Sequence, residues 1–201
     1  LHPEPGQAIS AELLFPLEGG RAAAAMRRWR DLSGDAPREA TFTATMSGDA
    51  VFLGLVWVGD PLVGDARISE LADRLTDAAE PSRRTIQPLT YVQLQTREDD
   101  VEGHEWRRYW KGHYFRELGD AVIDALLARG GDDLPDVSLQ AYGGAIADVA
   151  DEETAFSRRD TAFEFVAASR WRSPADDERR ISAARRYAGT LDRFASGAYV
   201  N

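Results

Sequence analysis

An α+β fold, with one large, mainly antiparallel sheet and its helices packed on one face, is what the 201 residues predict. Three observations carry the expectation. Strand-like and helix-like segments run in the order β-α-β-β-α and then repeat that order, which makes two halves of like architecture. Adjacent strand-like runs meet at a short turn signal, as antiparallel neighbours do. Each helix-like run confines its apolar residues to one stripe, so it has a single face to bury.

The elements follow in order. Residues 8–16 (AISAELLFP) read as a strand, and 20–31 as a helix with Ala22, Met26 and Trp29 at i, i+4 and i+7. Two strands follow, 39–47 and 50–58, around Gly48-Asp49, a hairpin turn pair. A helix at 65–79 carries Ile68, Leu71, Ala72 and Leu75 on one face, and 80–104 reads as a polar connection. The second half opens with a strand at 106–114 and a helix at 115–129 stopped by Gly130-Gly131. Strands at 136–146 and 161–171 come next. The last helix, 174–195, starts on Ser173 as N-cap, Pro174 in first position and acids Asp176, Asp177 and Glu178 in its first turn. Gly197-Ala198-Tyr199-Val200-Asn201 reads as the start of another strand. The chain begins at Leu1 without Met and ends within that apolar segment, so a fragment of a longer protein, forming one domain over 1–201, is the expectation.

Composition narrows the function. Thirty-four acidic against 24 basic side chains give a net charge of −10, which repels phosphate backbones and argues against a nucleic-acid partner. No apolar run reaches membrane-spanning length. Absent cysteines exclude disulfides, thiolate metal sites and cysteine nucleophiles; the three histidines, His2, His104 and His113, lack metal-ligand spacing. Phosphate-loop, dinucleotide and nucleophile-elbow patterns are missing. Arg outnumbers Lys 23 to one, a bias expected of a GC-rich bacterial genome, and the single lysine is Lys111.

Strand alternation sorts side chains onto two faces. Phe163, Phe165 and Trp171 need burial and are placed toward the helices; so are Trp110 with Tyr114, Leu139 with Ala141, and Val200. The other face then gathers Tyr109, Lys111, His113, Gln140, Tyr142, Glu164, Tyr199 and Asn201. The pattern alone leaves two readings: the solvated outer side of an antiparallel sheet, or a rigid substrate platform rich in hydrogen-bonding groups.

Several segments resemble the C-terminal half of FAD-linked oxidases of the berberine bridge enzyme-like family. They are Leu1-His2-Pro3, Pro88-Leu89-Thr90-Tyr91-Val92-Gln93, Tyr109-Trp110-Lys111, the run from Gln140 to Ile146, Thr154 to Arg159, the strand ending at Trp171, and the Tyr-x-Asn of Tyr199 to Asn201. Their order holds over nearly the whole chain. The resemblance implies a substrate-binding domain whose open face meets FAD held by a preceding domain of the same polypeptide. It implies oxidation of a small alcohol, sugar or secondary metabolite, with hydride passing to flavin and dioxygen restoring it. Tyr199 matches the tyrosine base of sugar-oxidising members, aided by a nearby cation such as Lys111 or Arg170. Gln140 matches a polar active-site position. Val166 stands where alkaloid-cyclising members carry a catalytic glutamate, which speaks against that mechanism, with Glu164 as the possible substitute. By itself the chain is expected to be inactive and prone to self-association, with a cytoplasmic location expected and secretion left open. The competing reading is a stand-alone ligand-binding or dimerising α+β module; a third is a relative that sequesters a natural product without catalysis.

Overall fold

The hairpin at Gly48-Asp49 is present in the computed structural model, which describes residues 7–97 and 105–199. Its arms are β2 (Ala40–Ser47) and β3 (Ala50–Val58), with Gly48 in the left-handed region at φ 56° that such a turn requires. The other strands are β1 (Gln7–Pro16), β4 (Arg83–Thr90), β5 (Arg107–Phe115), β6 (Asp136–Ala141), β7 (Phe163–Trp171) and β8 (Gly197–Tyr199). The helices are α1 (Arg21–Gly34), α2 (Pro61–Thr76), α3 (Tyr91–Thr96), α4 (Asp120–Leu127) and α5 (Asp177–Gly189). The fold is α+β, built on an eight-stranded antiparallel sheet. Described residues 7–42 and 50–97 form one compact unit, and 43–49 with 105–199 form a second.

In the first unit β1 lies between β3 and β4, antiparallel to both, with Leu13 opposite Leu53 and Arg84. Alternate residues Ile9, Ala11, Leu13 and Phe15 of β1, and Val51, Leu53, Leu55 and Trp57 of β3, are buried. Both α1 and α2 pack on these strands and on each other, so they share one side. Ala22, Ala25, Met26 and Trp29 supply the buried stripe of α1, at the expected spacing; Ile68, Leu71, Ala72 and Leu75 supply that of α2. The second helix starts earlier than its apolar stripe suggests, because Asp60 accepts a hydrogen bond from the Leu62 N–H at 2.9 Å and Pro61 fills its first position.

The expected polar connection over 80–104 is instead partly ordered secondary structure. Arg83–Thr90 is β4, bonded among the described residues to β1 alone, and Thr90 with Gln93 forms a capping box that opens α3. An exposed strand on a sheet margin has no apolar alternation to betray it, although the Thr-x-x-Gln pair was a readable helix start.

In the second unit the strand order is β2-β6-β7-β5-β8, every pair antiparallel. Helix α5 packs on β5 and β7, and the Tyr187 hydroxyl donates to the Leu126 carbonyl at 2.7 Å, which ties α4 to the same side. Three boundaries are shorter than expected. Gly119 starts α4 at Asp120 rather than at residue 115, and β6 stops at Ala141 before Gly143 and Gly144, the latter at φ 51°. The last helix runs only to Gly189, flanked by 3-10 turns at Pro174–Asp176 and Asp192–Phe194. Its start is as expected: Ser173 accepts from the Ala175 N–H at 3.3 Å, ahead of Pro174.

Candidate functional site

Strand register brings the site together. Glu164 on β7 stands opposite Tyr114 on β5 and Gln140 on β6, so the three form one row across three strands. Their face is the one turned from α5, because the intervening residues His113, Phe165 and Leu139 are buried. Tyr142 follows β6, held by its N–H to the Ala162 carbonyl at 2.8 Å, and its hydroxyl donates a short hydrogen bond to Glu164 Oε2. Tyr199 on β8 lies opposite Gly112, with its ring edge-to-face on Tyr114 at 5.9 Å and 81°. A Cβ at Gly112 would fall 2.7 Å from the Tyr199 Cβ and 2.8 Å from the Phe165 carbonyl, so only glycine lets Tyr199 settle this low on the sheet. Val166, buried and opposite Gly112, completes the floor.

The electrostatics favour the neutral form of Tyr142 and Tyr114. Burial first, then the hydrogen bond and charge of Glu164, pushes the Tyr142 phenol well above its ordinary value. Tyr114 is raised in the same way by burial and by Glu164 and Tyr199, with Arg158 acting in the opposite direction. Tyr142 is therefore a hydrogen-bond donor to Glu164, while the Gln140 amide is exposed and offers both functions. Beside the row a depression of about 290 Å³ is lined by Gln140, Tyr142, Ile146, Phe156 and Arg159. Its wall is stiff: the Phe156 ring meets Tyr142 at 6.3 Å, and the Arg159 guanidinium covers Phe156 at 4.7 Å while bonding the carbonyls of Ile146 and Phe156.

The structure brings together Gln140, Tyr142, Glu164, Val166 and Tyr199 among the expected residues, and corrects the placement of three. Tyr109, Lys111 and His113 lie on the helix side. His113 is buried, its Nε2 3.2 Å from the Ala188 carbonyl and 3.1 Å from Asp192 Oδ1, with its ring stacked on Phe165 at 5.7 Å. The Tyr109 hydroxyl accepts from Arg185 Nε on α5 at 2.9 Å. Lys111 stands opposite Ala167, on the same parity as His113. Alternation over 106–114 puts Trp110 with Tyr114 in the core set, but Trp110 is 49% exposed, whereas Phe115 is fully buried. Ending the strand at 114 discarded the one residue whose apolar character fixes the side. Arg170 lies over the Trp106 ring at 5.3 Å. Val200 and Asn201 lie outside the described residues. Alternation missed Tyr114, Gly112 and Phe156; the first was detectable by extending the strand to Phe115, and the second by its interruption of a bulky run.

A larger cavity, about 570 Å³, sits in the first unit between α1, α2 and the end of β3, but its rim arginine Arg67 is already paired with Glu70 at 3.0 Å. Among the described residues no group of three or more His, Asp or Glu is placed to hold a metal ion, and no helix is long and apolar enough to cross a membrane.

Comparison of this architecture with solved structures gives a consistent answer. CrmK, a flavoenzyme involved in the shunt product recycling mechanism in caerulomycin biosynthesis, superposes with a TM-score of 0.81 over 99% of this chain and 46% of its own, at 17% identity. The chain shares the fold of BBE-like flavoenzymes. BBE-like 1 of Physcomitrella patens matches with a TM-score of 0.79 over 97% of this chain and 45% of its own, at 17% identity. Aclacinomycin oxidoreductase matches with 0.76 over 95% and 42%, at 16% identity. The chain therefore spans less than half the length of these structures. No protein-family model and no curated protein matches its sequence.

Proposed function

We propose that this chain is the substrate-binding part of an FAD-dependent oxidoreductase that oxidises a small alcohol, sugar or secondary metabolite. The observation that carries the reading is the strand-borne row Gln140–Glu164–Tyr114 with Tyr142 and Tyr199 against it. The structural relatives support the general class, being flavoenzymes and an oxidoreductase.

The residues present fit the reacting side of a flavin rather than its phosphates. The face presents phenols, a carboxylate and an amide, and the sequence has no glycine-rich phosphate loop. Bound FAD supplies the two-electron acceptor, reoxidised by dioxygen. The chain's own work is positioning and proton transfer. Tyr199 takes the substrate hydroxyl proton. Gln140 and the free oxygen of Glu164 hold the hydroxyl groups around it, and Tyr142 fixes the Glu164 carboxylate. Val166 gives this face no second carboxylate beside Glu164. Tyr142 with Phe156 shapes the neighbouring depression for the rest of the substrate. The FAD-binding portion belongs to the same polypeptide, and the isolated chain is inactive without it.

The test is Tyr199→Phe in the intact flavoprotein. Flavin reduction by substrate slows about 10²- to 10⁴-fold, the usual contribution of a positioned base. An unchanged rate removes Tyr199 from that role, and an intact protein that binds no FAD overturns the reading as a whole.

A further inference from the structure

We propose that Arg158 is a positioning residue for Tyr199: its guanidinium clamps the Ser196–Gly197 backbone and sets a positive charge beside Tyr114, the ring on which Tyr199 packs. This deepens the reading of Tyr199 as the base and rests on it. A phenol needs a cation to act as a base near neutrality, and the candidates read from the sequence do not serve. Lys111 is on the helix side of β5, and Arg170 lies over Trp106.

Four features converge on Arg158. First, its Nη1 donates to the Ser196 carbonyl at 3.1 Å, three residues before Tyr199. Second, the guanidinium lies flat over residue 197. A Cβ built there would come within 2.4 Å of Nη1, 2.5 Å of Cζ and 2.9 Å of Nε. Gly197 is not among the positive-φ glycines, so glycine is required there for space and not for backbone freedom. Third, the clamped segment is fixed from its other side, because both the N–H and the hydroxyl of Ser196 donate to the Tyr114 carbonyl, at 2.8 and 3.0 Å. Fourth, Arg158 itself sits at φ 64°, one of only two non-glycine residues with positive φ among the described residues. Such a conformation persists where the surroundings impose it, and it gathers at functional sites.

The charge of Arg158 is available. Among the described residues it forms no ion pair; Asp160 is taken by Arg116, and Asp151 accepts from the Arg159 N–H. The titratable groups gathered on this face are Tyr114 from β5, Glu164 from β7, Tyr142 after β6 and Tyr199 from β8. Glu164 holds the Tyr114 and Tyr142 protons on, and Arg158 opposes it at Tyr114.

Three single variants and one double variant test the clamp in the intact flavoprotein. Arg158→Met removes both the bond and the charge. Gly197→Ala keeps the arginine but puts a Cβ where its guanidinium lies, so the guanidinium must swing off the Ser196 carbonyl. Each should slow flavin reduction about 10- to 100-fold, as a misplaced reacting group does. Arg158→Met should also raise the titration of Tyr114, because that phenol loses the charge that opposes Glu164. Arg158→Lys should return that titration toward its original position. The Arg158→Met/Gly197→Ala double variant should be no slower than either single one, since both break the same contact.

Absorbance titration of the tyrosines, without substrate, separates the two ideas. Arg158→Met moves the Tyr114 titration upward if the clamp is real, whatever the reaction; an unmoved titration overturns it. A Tyr199→Phe variant of unchanged reduction rate overturns Tyr199 as the base instead.

Discussion

Two sides of the same strands do different work in the second unit. On the helix side of β5 and β7, His113, Phe115, Phe163 and Phe165 are buried, and the rings of His113, Phe115 and Phe165 lie 5.7 to 6.3 Å from one another. On the other side, one residue along, Tyr114 and Glu164 face each other in register beside Gly112 and Val166. The first set is held by area removed from water, the second by hydrogen bonds and charge. A register slip of one residue would exchange them, so the packed side fixes the chemistry of the other by fixing which residues point there. The comparison implies that stability and site chemistry are separable by mutation on adjacent residues.

The largest expected break is Phe165→Ala. The side chain is fully buried and its ring meets those of His113, Phe115 and Tyr187. Truncation should cost about 3–5 kcal/mol of unfolding free energy in denaturant titrations. Molecules that remain folded should keep the tyrosine titration of the opposite face. A matching change in that titration would show that the two sides do not act separately.

A smaller effect is expected from His113, and it depends on pH. Burial holds the imidazole below its ordinary pKa, against the opposing influence of the Ala188 carbonyl and Asp192. The folded state therefore prefers neutral His113. Its contribution is complete above about pH 6.5, the unfolded value, and is lost as pH falls through the lower folded value. Replacement by Phe should flatten the decline in stability between neutral and mildly acidic pH. An unaltered decline would assign that slope to other groups.

These same positions show what the sequence made legible. Turn chemistry carried the strand at 50–58 to the residue and the end of the strand read at 161–171. The stripes of the helices read at 20–31 and 65–79 were right but their ends were not, because burial on one face leaves a period to read and caps set the bounds. Arg83–Thr90 leaves none, being largely exposed along its length. For the site, alternation correctly grouped Gln140, Tyr142 and Glu164, where neighbouring Leu139, Phe163 and Phe165 are unambiguous. It failed on β5, where Tyr109, Trp110, Lys111, His113 and Tyr114 are amphipathic and either parity can be buried. A buried histidine and a half-exposed tryptophan are decided by partners on α5, which no local pattern contains.

Glu164→Gln sharpens the contrast with the smallest change in stability. The substitution keeps shape and an acceptor for the Tyr142 hydroxyl, so the unfolding free energy should stay within about 1 kcal/mol of the parent. Removing the charge withdraws one of the influences that hold the Tyr142 and Tyr114 phenols up. Both should ionise closer to the ordinary phenol value, seen as phenolate absorbance appearing at lower pH. The sign follows from linkage: a phenol raised in the fold adds stability below about pH 10 that is lost as pH rises further. The variant should therefore lose less stability than the parent on alkaline titration. If absorbance and alkaline stability are both unmoved, the Glu164 charge does not govern this face, and the division between a packed side and an electrostatic side fails at its central residue.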